Sequence, residues 1–131
     1  MVRIVTTNKA PKPVGPYSQG VIAGCLLFIS GQIPVDPSTG ELVEGDFRTK
    51  VVKVLENIKA IIEAAGARLE DVVKVTVFLK DIKLFHIFNE VYSGYFGVNP
   101  PARSLIEVSN LPRGVDVEVE AIAYICREEM K

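Results

Sequence analysis

Two stretches near the C-terminus constrain this chain more than any others: Pro100-Pro101-Ala102-Arg103-Ser104-Leu105-Ile106-Glu107-Val108 and Val117-Glu118-Val119-Glu120-Ala121-Ile122-Ala123. The proline pair cannot continue a helix and favours extended backbone. Both stretches therefore read as strands, yet each sets charges among apolar residues. Side chains alternate along a strand, so Arg103, Leu105 and Glu107 share one face, and Ser104, Ile106 and Val108 the other. In the second stretch Val117, Val119, Ala121 and Ala123 share one face, opposite Glu118, Glu120, Ile122 and Tyr124. An arginine and glutamates so placed can hold a small carboxylate and handle a water molecule. The same residues equally allow a plain Arg–Glu ion pair across adjacent strands.

The rest of the chain supplies the frame. Arg3 to Thr7 alternates weakly, as a first edge strand would. Lys9 to Pro16 holds Pro11, Pro13 and Pro16 and reads as an extended loop delivering Tyr17. Gln19 to Ala23 and Leu26 to Ser30 predict a hairpin turning at Gly24-Cys25, and Ser30-Gly31-Gln32 closes its second strand, where glycine permits close backbone approach. Pro34 to Gly45 reads as a loop with turn chemistry at Asp36-Pro37-Ser38-Thr39-Gly40.

Asp46 is a candidate N-cap for a long helix. Phe47, Val51, Val54, Leu55, Ile58, Ile61, Ile62 and Ala65 recur at helical spacing, and Gly66 stops it. Val73, Val75, Val77 and Leu79 make the apolar row of a further strand. Asp81 can cap a second helix whose stripe is Leu84, Phe85, Phe88, Val91, Tyr92, Tyr95 and Phe96, with Gly97 as the stop. Asn89 interrupts that stripe as a core amide or a ligand contact.

This order predicts an α/β (α+β) single domain over residues 1–131, with a mixed sheet of about six strands and two helices on one face. The opposite face carries Phe78, Ile122 and Tyr124 and needs cover that the chain does not contain; self-association through it is expected.

Composition excludes several functions. With 15 basic and 16 acidic residues, formal net charge −1 and no basic stripe, the electrostatic footprint for nucleic acid is missing. The apolar runs are too short to cross a bilayer, and the N-terminus lacks a signal-peptide core, so a cytoplasmic location is expected. Cys25 and Cys126 are read as small buried apolar groups, with a disulfide or a reactive thiol as the lesser alternatives. The single histidine, His86, cannot build a metal site and is assigned a structural or solvent-facing position. No nucleotide-binding glycine motif, metal-ligand spacing or nucleophile–histidine set is present.

Five blocks, in order and spanning nearly the whole chain, resemble the RidA (YjgF/YER057c/UK114) family: Gly15-Pro16-Tyr17-Ser18-Gln19, Ile29-Ser30-Gly31-Gln32-Ile33-Pro34, Asn89-x-x-Tyr92 with Phe96, Pro101-Ala102-Arg103-Ser104, and Glu118-x-Glu120-Ala121-Ile122-Ala123. The resemblance implies a chorismate-mutase-like (YjgF-like) fold and a homotrimer with sites in clefts between subunits. It also implies hydrolytic deamination of reactive 2-imino and enamine acids, such as 2-iminobutanoate and 2-iminopropanoate, to 2-oxo acids and ammonia. No cofactor or metal is implied. By the resemblance, Arg103 holds the substrate carboxylate and Glu118 positions the attacking water. Tyr17, Ser30, Gly31 and Asn89 line the cleft, and Glu120 is structural. Leu105 stands where many relatives carry cysteine, which would narrow the pocket toward smaller imines. Two other readings stay open: a regulatory protein that binds small carboxylates without turnover, and a ribonuclease or translation inhibitor as ascribed to some relatives.

Overall fold

In a computed structural model, which describes residues 2–126, six strands form one sheet in the order β1-β2-β3-β6-β4-β5. The strands are β1 (Val2–Val5), β2 (Gly20–Ala23), β3 (Leu26–Gln32), β4 (Val72–Leu79), β5 (Ala102–Glu107) and β6 (Val117–Tyr124). All pairings are antiparallel except β4 with β5. Parallel neighbours need a long crossover, and α2 (Phe85–Phe96) supplies it. The helix α1 (Phe47–Ala64) connects the hairpin half of the sheet to β4.

Each element begins and ends for a local reason. Asp46 caps α1, its carboxylate accepting from the Thr49 N–H at 2.9 Å, and Gly66, at φ +79°, takes the left-handed position after the helix that a side chain would resist. Asp81 caps a short 3₁₀ turn, Ile82–Leu84, and α2 starts directly after it, not at the capping aspartate. Gly97 ends α2 in ordinary right-handed geometry.

Both helices lie on one face of the sheet. Val51, Val54, Leu55, Ile58, Ile61 and Ile62 from α1, with Phe88, Tyr92 and Phe96 from α2, bury against alternate residues of β3, β4 and β6. The row on β4 differs from the expected one. An irregularity between Val72 and Lys74 shifts its alternation, so Val72, Val75, Val77 and Leu79 are buried and Val73 is exposed. Among the described residues nothing covers the opposite face. Phe28 is 41%, Tyr124 46% and Ile106 45% exposed, a larger apolar area than isolated surface residues account for.

The cysteines correct the expectation. Cys25 and Cys126 form a disulfide, with Cα atoms 5.2 Å apart. The sheet brings them together: Leu26 pairs with Tyr124, and the Ile125 N–H donates to the Cys25 carbonyl at 2.8 Å. The hairpin turn and the end of β6 thus face each other one residue beyond the ladder. Among the described residues no helix is long and apolar enough to cross a membrane, and no cluster of His, Cys, Asp and Glu could hold a metal ion.

Candidate functional site

The expected site residues fall into two groups. The first is built on β5 and α2. Arg103 is the second residue of the exposed edge strand and lies beside Val75, whose side chain faces the helices, so the guanidinium turns toward α2. It donates to Asn89 Oδ1 at 2.8 Å. Its carbon lies 4.8 Å from the Tyr92 ring centre and 5.9 Å from that of Phe88. Aromatic faces attract a cation and orient it. The aromatic stripe that reads as core in the sequence is therefore core and platform at once. Asn89 is neither an idle core amide nor free: it fixes the guanidinium. No carboxylate among the described residues forms an ion pair with Arg103. The Tyr92 hydroxyl is buried without a hydrogen-bond partner among the described residues. Burial raises its pKa, and the Arg103 charge partly opposes that rise.

The second group gathers on the other face, where β3 meets β6. Glu118 lies on the uncovered side of β6 and leans over Gly31; a Cβ built on Gly31 would sit 2.0 Å from Glu118 Oε2. The close approach that this glycine permits is taken by the glutamate itself. Burial raises the Glu118 pKa above the ordinary 4.5, and the neighbouring Glu120 charge raises it further. Ser30 donates through its hydroxyl to the Ser18 carbonyl at 2.5 Å, and its N–H donates to the Gln19 carbonyl at 3.0 Å. Both bonds fix the loop that carries Tyr17. Tyr17 is 49% exposed, with its hydroxyl accepting from the Val14 N–H at 3.4 Å. Tyr17 and Gly31 line a cavity of about 450 Å³.

Within one chain the two groups do not meet. β4 separates β5 from β6, and Arg103 lies level with Val75 but Glu118 with Phe78, three residues further along, which puts their backbones roughly 14 Å apart by ordinary strand spacing and rise. They also point to opposite faces. An Arg103–Glu118 ion pair across adjacent strands, one of the two readings the residues allow, is thereby excluded. Leu105 turns to the same side as Arg103 and packs against the hydrophobic core, so its side chain serves packing. Glu107 accepts from the Ile82 N–H at 2.8 Å and braces the entry to α2. His86 is exposed and stacks on Phe85.

Three contributors escape sequence reasoning. Gln19, 3% exposed, donates to the carbonyls of Thr7, Ala10 and Pro11 and accepts from the Thr7 N–H, pinning the proline loop. Asn57, 1% exposed, donates to the carbonyls of Ile33 and Val35 and ties the next loop to α1. Arg113 lies in the turn before β6, with Nη1 3.3 Å from the Gly40 carbonyl, and lines the same cavity as Tyr17. No periodicity marks any of them; only the unusual placing of an amide or an arginine among small and turn residues hints at them.

A one-sheet, two-helix chain of this topology, with a platform-held arginine and a half-buried glutamate, has the YjgF-like fold. The family model described as Endoribonuclease L-PSP matches residues 7–125. The chain is 59% identical to a RutC family protein of Pyrococcus horikoshii over 95% of its length and 98% of the relative's. It is 47% identical to the 2-iminobutanoate/2-iminopropanoate deaminase of Salmonella typhimurium, over 94% of this chain and 98% of that one. It superposes on the crystal structure of RidA from a Psychrobacter species with a TM-score of 0.90 at 48% identity, covering 94% of this chain and 99% of the other. The chain belongs to the RidA (YjgF) family.

Proposed function

We propose that this chain hydrolyses reactive 2-imino acids of the 2-iminobutanoate and 2-iminopropanoate class to 2-oxo acids and ammonia, at sites completed between identical subunits of a homotrimer. The observation that carries the reading is the Arg103 guanidinium: oriented by Asn89 and Tyr92, exposed, and unpaired with any carboxylate of the described chain. A guanidinium takes a carboxylate through two parallel hydrogen bonds. The exposed apolar sheet face supports association, and association is what brings the Arg103 edge of one subunit to the Glu118 side of the next. The 47% identity to the Salmonella deaminase supports the reaction.

In this mechanism Arg103 holds the substrate carboxylate. Glu118 of the neighbouring subunit, as carboxylate, accepts a proton from a water molecule, whose oxygen adds to the imine carbon. The C=N electron pair takes up the proton that Glu118 received, forming an N–H bond and restoring the carboxylate. The resulting carbinolamine loses ammonia as its hydroxyl becomes the ketone. Imines hydrolyse readily, so positioning and a modest field suffice, and no metal or cofactor is required. The raised pKa of Glu118 strengthens its carboxylate as a base.

A complementation assay tests both the residues and the shared site. Arg103→Ala and Glu118→Gln chains are each expected to lack acceleration of 2-iminobutanoate loss when coupled to a threonine dehydratase. Refolded together, they should regain a substantial fraction, because some interfaces then contain both native residues. No recovery, with mixed oligomers demonstrated, refutes the shared site; full activity of Arg103→Ala alone refutes the assignment. The same assay separates turnover from ligand binding without turnover. The family model's description names ribonuclease activity, and degradation of RNA that survives Arg103→Ala would favour that second reading.

A further inference from the structure

The cavity beside Tyr17 has a chemistry that short aliphatic imines do not use. Lys12, Tyr17, Gly31, Ser38, Thr39 and Arg113 are among its walls, and none of the described residues that line it is acidic. Its volume of about 450 Å³ is in the range of small-molecule sites. Arg113 forms no ion pair among the described residues. A guanidinium carries five N–H donors, and the one described hydrogen bond goes to the neutral Gly40 carbonyl. The residue holds φ +59°, a left-handed conformation that an arginine adopts at a cost and that glycine or asparagine would adopt more readily. Its neighbour Gly114, at φ +70°, and Gly40, at φ +76°, complete the two turns that set it there. An arginine kept at a position suited to glycine, facing a cavity whose described lining holds a lysine and no acidic residue, is placed to receive an anion.

We propose that this cavity is a side-chain subsite for a second, distal carboxylate, so that the chain acts on dicarboxylic imines of the 2-iminosuccinate and 2-iminoglutarate type as well as on short aliphatic ones. Tyr17 and Gly31 belong both to the cavity and to the candidate site, so the subsite continues the imine cleft. The α-carboxylate is held by Arg103 of the neighbouring subunit, and the distal carboxylate by Arg113 with Lys12 at the rim. Arg113 is thus a specificity-determining residue. Turnover at this subsite rests on the deaminase reading; binding there does not.

The test generates imines in place with an amino-acid oxidase and follows their loss by trapping the remainder with semicarbazide. Arg113→Asn removes the charge while tolerating the left-handed backbone, and an unchanged melting curve checks its fold. Losing a charge-assisted hydrogen bond predicts a fall of about tenfold or more in kcat/KM for 2-iminosuccinate and 2-iminoglutarate. Hydrolysis of 2-iminobutanoate should stay within about twofold on the same reasoning. Equal effects on both substrate classes, or no effect on either, overturn the proposal. Acceleration of 2-iminobutanoate alone by the native protein overturns it while leaving the deaminase reading intact. If neither class is accelerated, the deaminase reading fails, and calorimetry decides the subsite: 2-oxoglutarate must bind more tightly than 2-oxobutanoate and lose that advantage in Arg113→Asn. Equal binding of the two acids overturns the subsite as well.

Discussion

Leu27 and Phe28 are neighbours on one strand, and they lead opposite lives. Leu27 is 0% exposed beneath the helices; Phe28 is 41% exposed on the uncovered face. The same contrast runs through β6, where Val117, Val119 and Ala121 are sealed and Glu118, Glu120 and Tyr124 are not. The covered face is uniform and apolar, and its task is stability. The uncovered face mixes aromatic side chains with a half-buried glutamate that forms no ion pair among the described residues. A face that carries the cost of a desolvated carboxylate is organised for something beyond folding. On the helix side, charge enters at the sheet edge where the cover ends, with Arg103 and Glu107 on β5.

Substitutions at the two neighbours give the widest contrast. Leu27→Ala should destabilise the chain by about 2–5 kcal/mol, measured by denaturant unfolding. Phe28→Ala should cost the folded chain far less and instead weaken association, seen by sedimentation. Comparable unfolding losses at both positions would mean that the two faces do not differ as described. Next in size is the disulfide. It closes a sequence separation of 101 residues, and its removal by Cys25→Ser or by reduction should cost up to about 4.7 kcal/mol on the chain-entropy model.

Glu118→Gln sharpens the comparison by separating function from stability. Its raised pKa means that the folded chain favours the protonated form, so the ionised group opposes folding at neutral pH, and that opposition fades as pH falls through the raised value. The glutamine variant should therefore be at least as stable as the native chain at pH 7, with any advantage shrinking in acid, while imine hydrolysis is lost. In the native protein the acid limb of the rate profile should lie above pH 4.5, the ordinary value. Gly31→Ala should act through the same group, its methyl displacing the Glu118 carboxylate that lies 2.0 Å from that Cβ position. Imine hydrolysis should fall with little change in melting temperature, because a flexible side-chain end gives way. The smallest effect is expected on the covered side. Tyr92→Phe keeps the ring under Arg103 and removes a buried hydroxyl without a partner. Stability should hold or rise by about 1 kcal/mol, whereas a loss of several kcal/mol would reveal a partner for that hydroxyl.

Much of the frame was legible beforehand. The spacing in α1, its Asp46 cap and Gly66 stop, the hairpin turn at Gly24 and the alternation in β6 all follow from period and turn chemistry, and the structure reproduces them. The row on β4 departs from simple alternation at Val73, because a shift in pairing leaves no mark in composition. The cysteine pairing is not legible in the sequence, because 101 residues separate the partners and only the antiparallel meeting of β3 and β6 brings them together. At the site, Arg103, Asn89, Glu118 and Gly31 stand out in the sequence by residue type and position, but their grouping does not: strand order sets β4 between arginine and glutamate, and parallel pairing turns the arginine toward the helices.

By itself, then, the sequence determined what each short segment could become, because helical and strand periods, caps and turn residues act over a few neighbouring positions. The tertiary structure alone decided which face each charge occupies, which strand parts Arg103 from Glu118 and where Arg113 stands. Those depend on hydrogen-bond register between segments far apart in the chain, where a shift of one residue turns a side chain to the other side of the sheet.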